Sequence, residues 1–84
     1  MSSSETLRIV ILREDGVLVA QCLEYDICTQ AKDLDTLKDR MNCLIDLELA
    51  EGQPIDQAPK RFHKMWDQAF LRAEGNREYG LMAA

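Results

Sequence analysis

The stretch Val17 to Gly52, VLVAQCLEYDICTQAKDLDTLKDRMNCLIDLELAEG, decides the fold, because a period of two gives way within it to a long helical period. Val17 to Cys22 reads as a strand that returns antiparallel to the one before it. Leu23-Glu24-Tyr25-Asp26 is a connection, and Ile27-Cys28-Thr29-Gln30 is a short strand suited to a sheet edge. Asp33 is the expected N-cap, since its carboxylate can accept from free amides of the first turn, and Asp35 adds charge at the positive end of the helix dipole. The helix is predicted from Leu34 to Glu51, stopping at Gly52. Leu34, Leu37, Met41, Leu44 and Ile45 form its apolar stripe, with Cys43, Leu47 and Ala50 widening it toward the C-terminal end. Asp39, Asp46 and Glu48 on this helix, and Arg8 before it, read as solvated charges.

Working outward, Leu7 to Leu12 is too short for a helix and alternates as a strand with Leu7, Ile9 and Ile11 on one face. Arg13-Glu14-Asp15-Gly16 then carries the Asp-Gly hairpin signal. On the other side, Gln53 to Pro59 contains two prolines and leaves room only for a very short fourth strand around Ile55. Beyond it, Phe62, Met65, Trp66, Ala69, Phe70 and Ala73 recur at helical spacing, predicting an amphipathic helix over 60–73. Glu74 to Ala84, with Gly75, Asn76 and Gly80, is expected to be a flexible tail. The predicted class is α+β: a three-stranded antiparallel sheet, or four-stranded with Ile55, carrying one long helix on one face, β-β-β-α-(β)-α. Residues 1–59 make the main unit, and 60–73 a C-terminal helix of the same domain.

Eighty-four residues make a single small domain, which folding alone would strip of only about 60 to 65% of its unfolded surface. Pairing with another copy or another protein would supply more apolar burial, so a homodimer or higher homo-oligomer is expected. Full burial of Phe62, Met65, Trp66 and Phe70 is worth about 1.5 to 3 kcal/mol each. That stripe should therefore pack either on its own sheet or on a second subunit, and sequence leaves both open. With Tyr25, these four are the expected partner or oligomer contacts.

The net charge is −5, unevenly spread: Met1 to Pro59 holds 12 acidic and 5 basic residues, Lys60 to Ala84 holds 3 acidic and 5 basic. An acidic body argues against direct nucleic-acid binding, which depends on neutralising phosphates, and suits a basic protein partner. No apolar run approaches the ~20 residues of a membrane span. Met1-Ser2-Ser3-Ser4-Glu5 lacks the basic and apolar regions of a signal peptide, which makes the cytoplasm the expected location. Cys22, Cys28 and Cys43 match no zinc spacing, and each is expected to be a small reduced core residue.

Chemistry is thinly signalled. Glu24, Asp26, Asp33 and Asp35 could in principle converge on divalent ions in a metal-dependent nuclease, yet their positions also suit loop and cap carboxylates. His63, the single histidine, has no recognisable nucleophile or orienting carboxylate and reads as a surface residue. No catalytic residue, metal ligand or cofactor is expected, and the chain reads as a non-enzyme.

Val19-Ala20-Gln21-Cys22-Leu23-Glu24-Tyr25-Asp26-Ile27, then Thr29-Gln30-Ala31 and Leu34-Asp35-Thr36-Leu37 leading into the long helix, resembles the HicB-like antitoxin family and its single-domain relatives. The resemblance spans about Leu7 to Gly52. It implies a three-stranded meander, a helix and a short last strand, a truncated ribonuclease H-like arrangement. It further implies homo-oligomers and the neutralisation of a small basic toxin, the HicA-type mRNA-cleaving ribonuclease. Ala31 and Asp33 stand where glycine and threonine are usual, and Thr36-Leu37 replaces a usual Glu-Ala pair. About 25 residues follow Pro59, too few for the helix-turn-helix or ribbon-helix-helix domain of longer members, so no operator binding by this chain alone is expected. The alternatives are a homo-oligomeric structural or regulatory protein without a toxin and, less favoured, the metal-dependent nuclease.

Overall fold

The computed structural model describes residues 6–52 and 56–82. The fourth strand expected around Ile55 lies outside the described residues. The chain forms strands β1 (Leu7–Glu14), β2 (Val17–Cys22) and β3 (Cys28–Ala31), helices α1 (Leu34–Glu51) and α2 (Lys60–Trp66), and strands β4 (Phe70–Glu74) and β5 (Arg77–Leu81). They build one five-stranded sheet in the order β3-β2-β1-β5-β4. It is mixed: β1 pairs antiparallel with β2 but parallel with β5, and β4 pairs antiparallel with β5.

The first hairpin forms as expected, with Asp15 at φ 50° and Gly16 at φ 82° giving the positive angles that a two-residue turn requires. Helix α1 begins where Asp33 accepts from the Thr36 amide and ends at Gly52, whose φ of 68° closes the last turn. It buries Leu37, Met41 and Ile45 against Leu7, Ile9, Ile11, Ala20, Cys22 and Tyr79. Cys43, Leu47 and Ala50, expected to widen its buried stripe, fall by the helical repeat on the side of α1 turned away from Leu37, Met41 and Ile45, and all three are exposed.

The second helix departs from expectation. It spans seven residues and stops at Trp66; the segment expected to continue it turns through Asp67 to Ala69 and becomes β4. The expected flexible tail supplies β5, which inserts between β1 and β4. Two physical causes act together. Gly75-Asn76 makes a two-residue hairpin turn, with Gly75 at φ 61°. β1 also has an open side after pairing with β2, and a second ladder there satisfies a row of backbone groups that solvent-facing helix formation would not.

As a result both sheet faces are covered rather than one. Residues 56–58 cross the end of the sheet, where the Asp26 amide donates to the Asp56 carbonyl and the Ala58 amide to the Leu23 carbonyl. α2 then packs Phe62, Met65 and Trp66 against a second core of Val10, Leu23 and Ala58. β1 is thus buried alternately on both faces, with Ile9 and Ile11 toward α1 and Val10 toward α2. Trp66 lies directly over Gly80, where an added Cβ would come within 2.7 Å of the indole and 2.9 Å of the Ala69 Cβ. Gly80→Ala should therefore lower stability by about 1–3 kcal/mol, the usual range for overpacking. The check is a lower urea midpoint at unchanged slope, read through the fluorescence of the single tryptophan.

Candidate functional site

The expected contact residues do not form one surface. Phe62, Met65 and Trp66 are partly buried against the sheet of their own chain. Tyr25 packs beside the α1-side core. Phe70 lies elsewhere, on β4, where it is 67% exposed. Its separation follows from the helix ending at Trp66, seven residues before the expected end.

The carboxylates considered for metal chemistry have structural roles. Glu24 accepts from the Arg8 amide at 2.7 Å and from Arg8 Nε at 2.6 Å, tying the β2–β3 connection to β1. Arg8 is therefore paired, contrary to the solvated role expected for it, and its guanidinium also lies 6.0 Å from the Trp66 ring centroid. Asp26 accepts from Nε2 of Gln21, whose other bond goes to the Cys22 carbonyl. Asp33 is the helix cap, taking both the amide and the hydroxyl of Thr36. Among the described residues no group of three or more His, Cys, Asp or Glu side chains is placed to hold a metal ion. Nor is any described helix long and apolar enough to cross a membrane.

Beside α2 runs a groove of about 530 Å³ between the sheet and the helix, bordered by Glu14, Gln21, Asp26, Cys28, Arg61 and Phe62. It exists because α2 covers β1 and β5 but leaves the outer face of β2 and β3 open. Cys28, opposite Gln21 in the register, faces this opening and is exposed rather than buried as expected. Burial, with the nearby charges of Asp26 and Glu14, pushes its thiol above the usual value. Such a thiol stays protonated at neutral pH and is a weak nucleophile. Cys22 is the one cysteine in the core, its thiol likewise raised by desolvation.

Two other uncovered surfaces remain. The first is the outer side of α1. Asp35, Asp39 and Asp46 recur at i, i+4 and i+11 and are all exposed, so the helical repeat sets them along one outward ridge. Near its C-terminal end Leu47 and Leu49, 55% and 50% exposed, flank the ridge on opposite sides. The second is β4, an edge strand exposed at all five positions, with Leu71 59% exposed beside Phe70. No family model, curated protein or solved structure gives a significant match to this chain.

Sequence reasoning missed Leu47, Leu49 and Leu71 as exposed residues. A hint was present: Leu47 and Leu49, two residues apart, cannot both lie in a stripe centred on Leu37, Met41 and Ile45. Leu71 falls on the polar side of the expected helix and had no visible role there.

Two predictions follow from these groups. With native protein, iodoacetamide should label Cys28 and Cys43 and spare Cys22 until denaturant is added, as read by mass spectrometry. Asp26→Asn, by removing a nearby negative charge, should speed labelling of Cys28 at neutral pH. Separately, the Thr36 amide and hydroxyl bonds hold the Asp33 carboxyl below its ordinary value. A depressed folded-state pKa contributes stability that is present above the unfolded value and lost as pH falls through the folded one. NMR titration should place the Asp33 midpoint below the usual carboxylate range, and Thr36→Val should raise it.

Proposed function

We propose that this chain is a non-catalytic protein-binding module of the HicB-like antitoxin kind, holding a small basic protein against the outer side of α1. The observation that carries the reading is the ridge of Asp35, Asp39 and Asp46 with Leu47 and Leu49 exposed beside it. Across α1 five acidic residues stand against two basic ones, so the surface attracts and orients a cationic partner. Potential complementarity of this kind governs encounter rate and partner choice, while the two leucines provide apolar area that can be desolvated at the centre of a contact.

The order of elements supports the family reading. Meander and long helix follow one another in the order that the resemblance implies, whereas the strand that returns beside β1 comes only after α2 and β4. An mRNA-cleaving toxin of the HicA type is small and basic, which matches the charge of this ridge. The alternative of a homo-oligomer without a toxin draws on the other open surface, the β4 edge.

The test is co-purification with the tagged chain, with the product of any adjacent short basic reading frame as the first candidate. The expected outcome is a small basic protein that cleaves mRNA alone and is inhibited when bound. Asp35→Lys, Asp39→Lys and Asp46→Lys together should weaken binding by roughly tenfold or more and flatten its salt dependence. If no basic protein is retained, or if the triple variant binds equally well, the reading fails.

A further inference from the structure

We propose that β4 is a self-pairing edge: two copies of this chain join antiparallel through β4, Leu71 opposite Leu71, so that one sheet runs continuously through both.

The two ends of the sheet are treated differently. At one end β3 has four residues, and Arg40 Nη1 reaches from α1 to take the Gln30 carbonyl at 2.8 Å. A short strand with a cation laid against it is a poor template for pairing. At the other end β4 has five residues, all exposed, with Phe70 and Leu71 among the most exposed large apolar side chains described. Among the described residues Lys38 of α1 bonds Glu74 at 2.7 Å, near the turn, and Phe70 at the other end of β4 is exposed. An exposed edge strand is a template for pairing with another strand, and in β4 the charged residues Arg72 and Glu74 leave Phe70 and Leu71 as an apolar pair at its start.

Backbone geometry and charge select the second copy and its register. The Gly75-Asn76 turn makes Glu74 and Arg77 the pair that closes the hairpin. Hydrogen-bonded and non-bonded pairs then alternate along the ladder, so Phe70, Arg72 and Glu74 direct their N–H and C=O groups to β5, and Leu71 and Ala73 direct theirs outward. A two-fold centred on Arg72 would set that guanidinium against its own copy at the closer spacing of a non-bonded pair, which is unfavourable. A centre on Ala73 would place Phe70 and Leu71 beyond the strand, opposite the turn. Centred on Leu71, the outward amide and carbonyl of Leu71 bond their own counterparts, and the two leucines cover each other. Phe70 then faces Arg72 of the second copy, twice over, a pairing of ring face with guanidinium. Arg72, 67% exposed along its side chain, gives up a 3.7 Å ion pair with Glu74 to reach that position, while Glu74 keeps its bond to Lys38. In this register the strand sets leucine against leucine and ring against guanidinium.

The experiment uses the full chain and two variants, Leu71→Lys and Leu71→Glu, studied by light scattering and sedimentation. Leu71 is largely exposed, so both should fold, as circular dichroism would verify. The wild type should be a dimer. Each variant alone should be a monomer, with self-affinity reduced by at least about a hundredfold by like charges facing each other. An equimolar mixture of the two should regain the dimer, since lysine then faces glutamate. A monomeric wild type, variants that still dimerise alone, or a mixture that stays monomeric would each overturn the proposal. Capture of a basic protein on α1 is a separate readout, so either idea can fail while the other stands.

Discussion

Trp66 on Gly80 is the contact on which the arrangement depends. The indole lies so close to the β5 backbone that any side chain at position 80 would displace it, and this proximity holds α2 flat on the sheet. It requires β5 to be the neighbour of β1, because Val10 is in register with Gly80 and the second core is built around both. Removing β5 from the sheet would leave Trp66 without its seat, and α2, only seven residues long, has no means of persisting alone.

This constraint makes β1 the centre of the molecule. Strands with two buried faces carry near-continuous apolar sequence, and Ile9-Val10-Ile11 fits that rule, each residue at most 3% exposed. Two small cores therefore share one strand, an economical way for a short chain to bury side chains on both faces. Polar links then fasten the periphery. Arg77 bonds Asn42, Lys38 bridges Glu74 and lies 4.8 Å over the Tyr79 ring, and Arg8 clasps Glu24. The partly exposed ion pairs contribute modestly to stability, and the Lys38–Glu74 pair with the Arg77–Asn42 bond ties α1 to the β4–β5 hairpin.

Those surfaces follow from coverage. α1 protects the β3-β2 side of one face and α2 the β1-β5 part of the other, so neither covers the β4 edge. A helix packed on only one side must also present the remainder of its circumference to solvent, and in α1 that remainder holds aspartates. The acidic ridge and the exposed apolar residues Phe70 and Leu71 thus belong to different elements, α1 and β4, joined by the Lys38–Glu74 bond.

The amino-acid sequence by itself determined the first half of the fold. Asp15-Gly16, the Asp33 cap, Gly52 and the stripe from Leu34 to Ile45 are local signals whose physics acts over a few residues, and the structure has each where those signals place it. It also determined that Phe62, Met65 and Trp66 must be covered. Tertiary structure alone decided that Phe70 leaves the helix, that 77–81 is a central strand, and that Cys28, Leu47 and Leu71 stay exposed. A spacing of i, i+3 and i+4 reports which residues share a helical face if a helix forms. It carries no information about a strand more than sixty residues away whose free edge and glycine-seated tryptophan make β structure the lower state.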